Sequence, residues 1–84
     1  MSFDSNNNQF NLERLVNDKI NGNIRGFDFF IDAPHNGKPA HIDLHVFPNE
    51  GNGIKYTNLT GVEKLRQDLG RFLPYNQHLT DSDF

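Results

Sequence analysis

The residues best able to do chemistry lie on one predicted strand, in the pattern His41-x-Asp43-x-His45. Side chains alternate across a strand, so these three share one side, with the two histidine Cα atoms about 7 Å apart. Imidazole and carboxylate groups bind zinc and similar ions, which makes all three candidate metal ligands. The same groups act as general acids and bases, so they are also the candidate catalytic residues of a small histidine-dependent RNase or metal-dependent hydrolase.

A hairpin must position these groups, because the Asn-Gly pair at residues 36–37 is the strongest short signal for a type I′ turn. Pairing outward from that turn places Asp32 opposite His41 and Asp28 opposite His45. A one-residue slip would mix polar and apolar faces, so the pattern defines the register. The apolar face comprises Phe27, Phe29, Ile31, Ile42, Leu44 and Val46.

Two prolines refine the prediction of the hairpin. Pro34 and Pro39 fall at a non-hydrogen-bonded pair, where proline costs the hairpin little. They also block a further strand from pairing at the tip. We therefore expect the distal hairpin to project beyond the sheet as a two-stranded arm.

Cross-strand pairing can explain the polar residues of this face without a catalytic role for them. Aspartate opposite histidine contributes about 0.2–1 kcal/mol per pair and keeps an exposed face polar. A hydrolytic site also lacks a phosphate-binding group, because Arg25, Lys38 and Lys55 are scattered along the chain. The residues thus favour a non-enzymatic protein without a cofactor, and the metal site and the hydrolase stay open as alternatives.

Length and composition indicate the class of protein. The 84 residues make one domain, in which we expect a flexible leader at 1–8, an α+β domain at 9–74 and a mobile acidic tail at 75–84. There is no cysteine, no apolar run that would cross a bilayer and no secretory pattern, so we expect a cytoplasmic protein away from membranes. The net charge of −3 argues against binding to nucleic acid.

The other elements follow from periodicity and turn residues. Apolar residues at helical spacing predict a helix over 9–21, with Asn7 or Asn8 as its N-cap. Alternation predicts a third strand over 54–58. The Thr60–Glu63 capping box predicts a second helix that extends to Pro74. The predicted fold is therefore α+β, of order α-β-β-β-α, with a three-stranded antiparallel meander and two helices packed on one face.

This order resembles the double-stranded-RNA-binding domain and the HicA-type toxin RNases. The resemblance implies an RNA-directed function and makes a nucleic-acid-binding module a third alternative. The RNA-binding domains carry a basic cluster where their second helix begins, whereas residues 60–66 here are capped by Glu63 and only modestly basic. The toxins place a histidine after a glycine on the sheet, and Pro39-Ala40-His41 differs from that motif, so no residue role is carried over.

Phe30 and Phe47 are the residues that cross-strand pairing leaves unexplained. Two phenylalanines on a polar face are expected to be covered by the tail, by a second copy of the chain or by a partner. With the polar residues around them, they resemble an interface core with a polar rim. We predict a small acidic protein-binding module, an inhibitor or adaptor of phage or mobile-element type, whose partner has a basic surface. The predicted contact residues are Asp28, Phe30, His35, Asn36, Lys38, Asp43, His45 and Phe47.

Overall fold

A computed structural model describes residues 9–84, so the predicted leader at 1–8 lies outside the described residues. The elements are α1 (Leu12–Ile20), β1 (Ile24–Asp32), β2 (His41–Pro48), β3 (Ile54–Leu59), α2 (Val62–Leu69), β4 (Gln77–Thr80) and a closing 3₁₀ turn (Asp81–Asp83). The strands form one antiparallel sheet of order β3-β2-β1-β4. The predicted α+β class and element order are confirmed, and the sheet has four strands instead of three.

The hairpin has the predicted turn and register. Asn36 and Gly37 have φ angles of 51° and 75°, as a type I′ turn requires. The flanking residues His35 and Lys38 exchange backbone hydrogen bonds of 3.2 and 2.8 Å. The β1–β2 ladder then pairs residues without a shift from Asp32 opposite His41 back to Gly26 opposite Phe47, and one irregularity follows beside Ile24.

The core lies on one face of the sheet, beneath both helices. Each helix carries two buried residues, and these join the apolar face of the hairpin in a single cluster. Burial of this apolar surface is the main favourable term holding the helices to the sheet. No helix among residues 9–84 is long and apolar enough to cross a membrane. The most deeply buried side chains are Phe27, Phe29, Ile31, Ile42 and Leu44.

The C-terminal segment forms strand β4 where a mobile tail was predicted. Gln77–Thr80 pairs with β1, which places buried Leu79 opposite Phe29. The Phe84 ring stacks on Phe29 with centroids 6.0 Å apart, and Asp81 forms an ion pair with Lys19 of α1. A strand of four residues with one buried side chain is too short to show periodicity in the sequence. The segment is a strand because it pairs with the edge of β1 that β2 leaves free.

Both helices are shorter than predicted, for local reasons. Helix α1 begins after Asn11, whose side chain accepts a hydrogen bond of 3.1 Å from the Arg14 backbone N–H, so the N-cap is neither Asn7 nor Asn8. Helix α2 ends at Gly70, which has a φ of 65° and replaces Pro74 as the stop. A left-handed glycine satisfies the last carbonyls of a helix, so no proline is needed there.

The predicted capping box at the start of α2 does not form. The N-cap is Gly61, with a φ of 115° and no side-chain capping bond. The carbonyl of Thr60 instead accepts a backbone hydrogen bond of 2.6 Å from Phe10. This contact joins the segment before α1 to the segment before α2, and the close approach of the two backbones requires the glycine.

Candidate functional site

The sheet face opposite the helices gathers most of the titratable side chains of the two central strands. Alternation along each strand places them there, since the intervening residues belong to the core. Strands β3 and β4 extend the same face on either side. We call this surface the open face, and it comprises Asp28, Phe30, Asp32, His41, Asp43, His45, Phe47, Lys55, Thr57 and His78.

The first cluster on the open face is centred on His41, where the β1–β2 ladder ends and the distal hairpin arm (residues 33–40) begins. Its Nε2 lies 2.8 Å from Oδ2 of Asp32 and 3.6 Å from Oδ1 of Asp43. The imidazole is 15% exposed, so the ring is largely enclosed by its neighbours. Together the three side chains bring three potential ligand atoms within 4.8 Å of one another.

An irregularity in the β2–β3 ladder orients Asp43. The register shifts between Ile42 and Leu44, and Asn58 on the partner strand has a left-handed φ of 58°. Its backbone N–H therefore donates a hydrogen bond of 3.1 Å to Oδ1 of Asp43. Asparagine tolerates this conformation better than most residues, which explains its use at this point.

The second cluster is centred on Asp28 of β1. Its Oδ1 lies 3.3 Å from Nδ1 of His45, and its Oδ2 lies 3.3 Å from Nε2 of His78. The ring of His45 in turn packs against Phe47, with centroids 5.8 Å apart. One carboxylate thus links histidines from two strands, and each link becomes an ion pair when its imidazole is protonated.

A shallow groove of about 410 Å³ runs along the open face between β3 and β4. Lys55 pairs with His45 across the β2–β3 ladder, and both line the groove. Phe30 lies in the groove as well, because its ladder partners are Asp43 on one side and His78 on the other. The groove therefore combines an aromatic ring with both acidic and basic groups.

The predicted site residues fall into three separate places. His41 and Asp43 lie together, with Asp32 as their third member, while His45 belongs to the Asp28 cluster. Phe30 and Phe47 are half-buried, so they are less exposed than the sequence suggested. The tip residues His35, Asn36 and Lys38 are all exposed at the far end of the arm.

Sequence reasoning missed His78 and the position of Lys55. His78 lies in the segment predicted to be a tail, and its strand of four residues is too short to show periodicity. Lys55 looks isolated in the sequence, because its place opposite His45 depends on the β2–β3 register. Lys64 does not join it, since Lys64 lies on α2 and pairs with Asp68 at 3.4 Å.

No known protein family, curated protein or solved structure matches this chain. The geometry of the open face suits three activities: cation binding by the His41 cluster, proton transfer in the groove, and contact with another protein through Phe30 and its polar surroundings. These activities differ in the residues they require, so substitution distinguishes them.

Proposed function

We propose that this chain is a non-enzymatic protein-binding module that acts through the open face and the tip of the hairpin. The single observation that carries this proposal is the position of Phe30. It is an aromatic side chain at the centre of a sheet face that both described helices leave free, with Asp43 and His78 as its ladder neighbours. Interfaces commonly have this composition, with an aromatic centre and a polar rim.

The arm enlarges the proposed contact surface. Residues 34–39 are exposed, and the hydrogen-bonded pair of His35 and Lys38 holds the turn in one conformation. A rigid tip loses little conformational entropy on binding, which favours affinity. Pro34 and Pro39 reduce pairing of the arm with stray strands, so the arm suits contact through its side chains.

The charge of the open face indicates the chemistry of the partner. Asp28, Asp32 and Asp43 outnumber the one lysine of this face, Lys55. A basic surface on the partner would complement this excess, and the association rate would then fall as salt is added. Small size and acidic charge are the grounds for proposing an inhibitor or adaptor, of phage or mobile-element type and acting in the cytoplasm.

Site-specific photo-crosslinking tests which face binds a partner. A photoreactive amino acid replaces Thr57 on the open face or His35 at the tip, and matched controls place it at the exposed helix residues Glu13 and Gln67. In extracts of the source cells, we expect one crosslinked protein shared by the open-face and tip positions. Crosslinks confined to the helix positions, or equally strong from all four, would contradict the proposal.

A small histidine-dependent RNase is the second candidate, favoured by the position of Lys55. This residue lies opposite His45 and lines the groove that also contains His78. Two histidines can serve as general base and general acid while a lysine holds the phosphate. This arrangement differs from the His41, His45 and Asp43 set predicted from sequence, because the structure places His41 in the other cluster.

Incubation with total RNA distinguishes this second candidate. An RNase of this kind would lose cleavage in the His45→Gln and His78→Gln variants and keep it in His35→Gln, whose histidine lies at the arm tip. Cleavage that persists equally in all variants would indicate a contaminating nuclease. Absence of cleavage by the unmodified protein would remove this candidate and leave the binding proposal in place.

A further inference from the structure

We infer that Asp32, His41 and Asp43 form a binding site for a divalent transition-metal ion of the zinc type. This inference goes beyond the proposed protein-binding function, since a metal ion at the base of the arm needs no protein partner. It also differs from the ligand set that the sequence pattern suggests, because Asp32 takes the place of His45.

The three ligand atoms lie close enough together to surround one metal ion. Zinc bonds to histidine nitrogen and carboxylate oxygen of about 2.0–2.2 Å separate the ligand atoms of a tetrahedral site by about 3.4 Å. Here Nε2 of His41 is 2.8 Å from Oδ2 of Asp32 and 3.6 Å from Oδ1 of Asp43. Only small side-chain adjustments would therefore bring the three atoms around one ion.

The backbone holds these side chains in place before any ion arrives. Asp32 and His41 are ladder partners at the ends of β1 and β2, and the Asn58 backbone N–H anchors the carboxylate of Asp43. Such outer contacts orient ligands and raise metal affinity. An ion bound here would join the two strands at the point where the arm leaves the sheet.

The negative charge of the two carboxylates favours binding of a cation at this cluster. Two carboxylates approach one imidazole, and a divalent ion would neutralise both of them. The attraction between the two carboxylates and a cation at this short range stabilises the bound ion.

The ligand types indicate which ion is preferred. Imidazole nitrogen suits zinc and its transition-metal neighbours, whereas magnesium and calcium prefer oxygen ligands alone. Three protein ligands leave one coordination position free, as in zinc sites that bind water or substrate. The Asp43 side chain is 42% exposed, so this side of the cluster is accessible from solvent.

The second cluster on the open face serves as an internal comparison. Asp28 offers one oxygen to His45 and the other to His78, so no single carboxylate oxygen joins both histidines. Among residues 9–84, the set formed by Asp32, His41 and Asp43 is the one whose ligand atoms converge. An added ion should therefore select His41 over the other histidines.

Zinc titration of the full chain, free of any affinity tag, tests the inference. Calorimetry should show one Zn²⁺ per chain, and the His41→Gln, Asp32→Asn and Asp43→Asn variants should each lose at least about tenfold in affinity. His45→Gln is the matched control and should bind as the unmodified protein does. Mg²⁺ at the same concentrations should not displace the zinc.

A second measurement avoids any folding defect in the variants. In NMR spectra of the unmodified protein, the ring signals of His41 should change first on zinc addition, before those of His35, His45 and His78. Equal loss of affinity in His45→Gln would overturn the inference, as would first changes at another histidine. The absence of zinc binding at about millimolar zinc would overturn it as well, since even a weak site with a Kd of about 1 mM, or about −4 kcal/mol, would be detected there.

Discussion

The carboxylate of Asp28 on β1 lies 3.3 Å from Nδ1 of His45 on β2, and its second oxygen reaches His78 on β4 at the same distance. The link to His78 joins β1 to β4, and these two strands pair only in the folded protein. One aspartate on the central strand thus connects three of the four strands on the open face.

This relationship predicts a weak, salt-dependent coupling between Asp28 and His45. Both side chains are partly exposed, so a double-mutant cycle with Asp28→Asn and His45→Gln should give about 0.2–1 kcal/mol in mildly acidic solution at low salt. The coupling should weaken as salt is added, because salt screens charges that are exposed to solvent. Urea unfolding of the four proteins measures it, and a coupling that is unchanged at high salt would show that it does not come from an ion pair.

Gly61 should be far less replaceable than Gly70, although both have left-handed backbones. A Cβ on Gly61 would lie 3.2 Å from the backbone N and O of Phe10, whereas one on Gly70 would meet no atom within 4 Å. Gly61→Ala therefore adds a backbone clash to conformational strain of about 1–3 kcal/mol. Thermal unfolding should show the larger loss for Gly61→Ala, and equal losses would contradict the close approach at Thr60 and Phe10.

Strand β4 should be necessary for stability. Leu79 is 6% exposed and packs in the core opposite Phe29, so Leu79→Ala should lower the free energy of unfolding by about 2–5 kcal/mol. His78→Ala, one residue earlier on the exposed side, is the matched control and should cost about 1 kcal/mol or less. Similar effects from both variants would mean that residues 77–80 do not pack as a strand.

Arg66 should resist conservative replacement. Its Nε and Nη2 donate hydrogen bonds of 3.1 and 2.6 Å to the carbonyl of Leu73, and its guanidinium lies 4.7 Å from the ring centroids of Phe72 and Tyr75. A hydrogen bond to the Tyr75 hydroxyl raises the pKa of Arg66 above its ordinary value, so the side chain stays charged at every working pH.

Lysine has no planar fork to repeat these contacts, so Arg66→Lys should destabilise the fold by about 1.5–3 kcal/mol. Exposed Arg71 provides the control, and Arg71→Lys should be nearly neutral. Urea unfolding midpoints compare the two variants. If Arg66→Lys proved as mild as Arg71→Lys, the guanidinium would not be what holds the chain between α2 and β4.

The hairpin could be predicted because its signals are local and agree with each other. The Asn-Gly turn determines where pairing begins, and alternation of apolar residues such as Phe29 and Leu44 permits only one register. The same register correctly placed Asp28 opposite His45 and Asp32 opposite His41. This part of the candidate site therefore followed from sequence alone.

The rest depended on contacts between distant segments. The residues near His78 do not indicate that their strand pairs with β1, because this pairing depends on a free edge of β1 far away in the sequence. The Thr60–Glu63 pattern suits a capping box, but packing against Phe10 gives the start of α2 a different conformation. Asp43 likewise owes its orientation to Asn58, through an irregularity that appears only once β2 and β3 are paired.

The partner identified by crosslinking allows the most direct test of the proposed binding surface. Calorimetry would measure its Kd for the unmodified chain, for the Phe30→Ala/Phe47→Ala double variant, and for Phe72→Ala. Phe72 is the matched control because it is 73% exposed, follows α2 in the chain and is not among the residues of the open face. Circular dichroism would verify that all three proteins are folded.

We expect the double variant to bind at least about thirtyfold more weakly, a loss of about 2 kcal/mol that is typical of buried aromatic contacts. Phe72→Ala should bind within about threefold of the unmodified chain, since most surface positions contribute little to an interface. A folded double variant that kept full affinity, or a loss confined to Phe72→Ala, would contradict the proposal that the open face binds the partner.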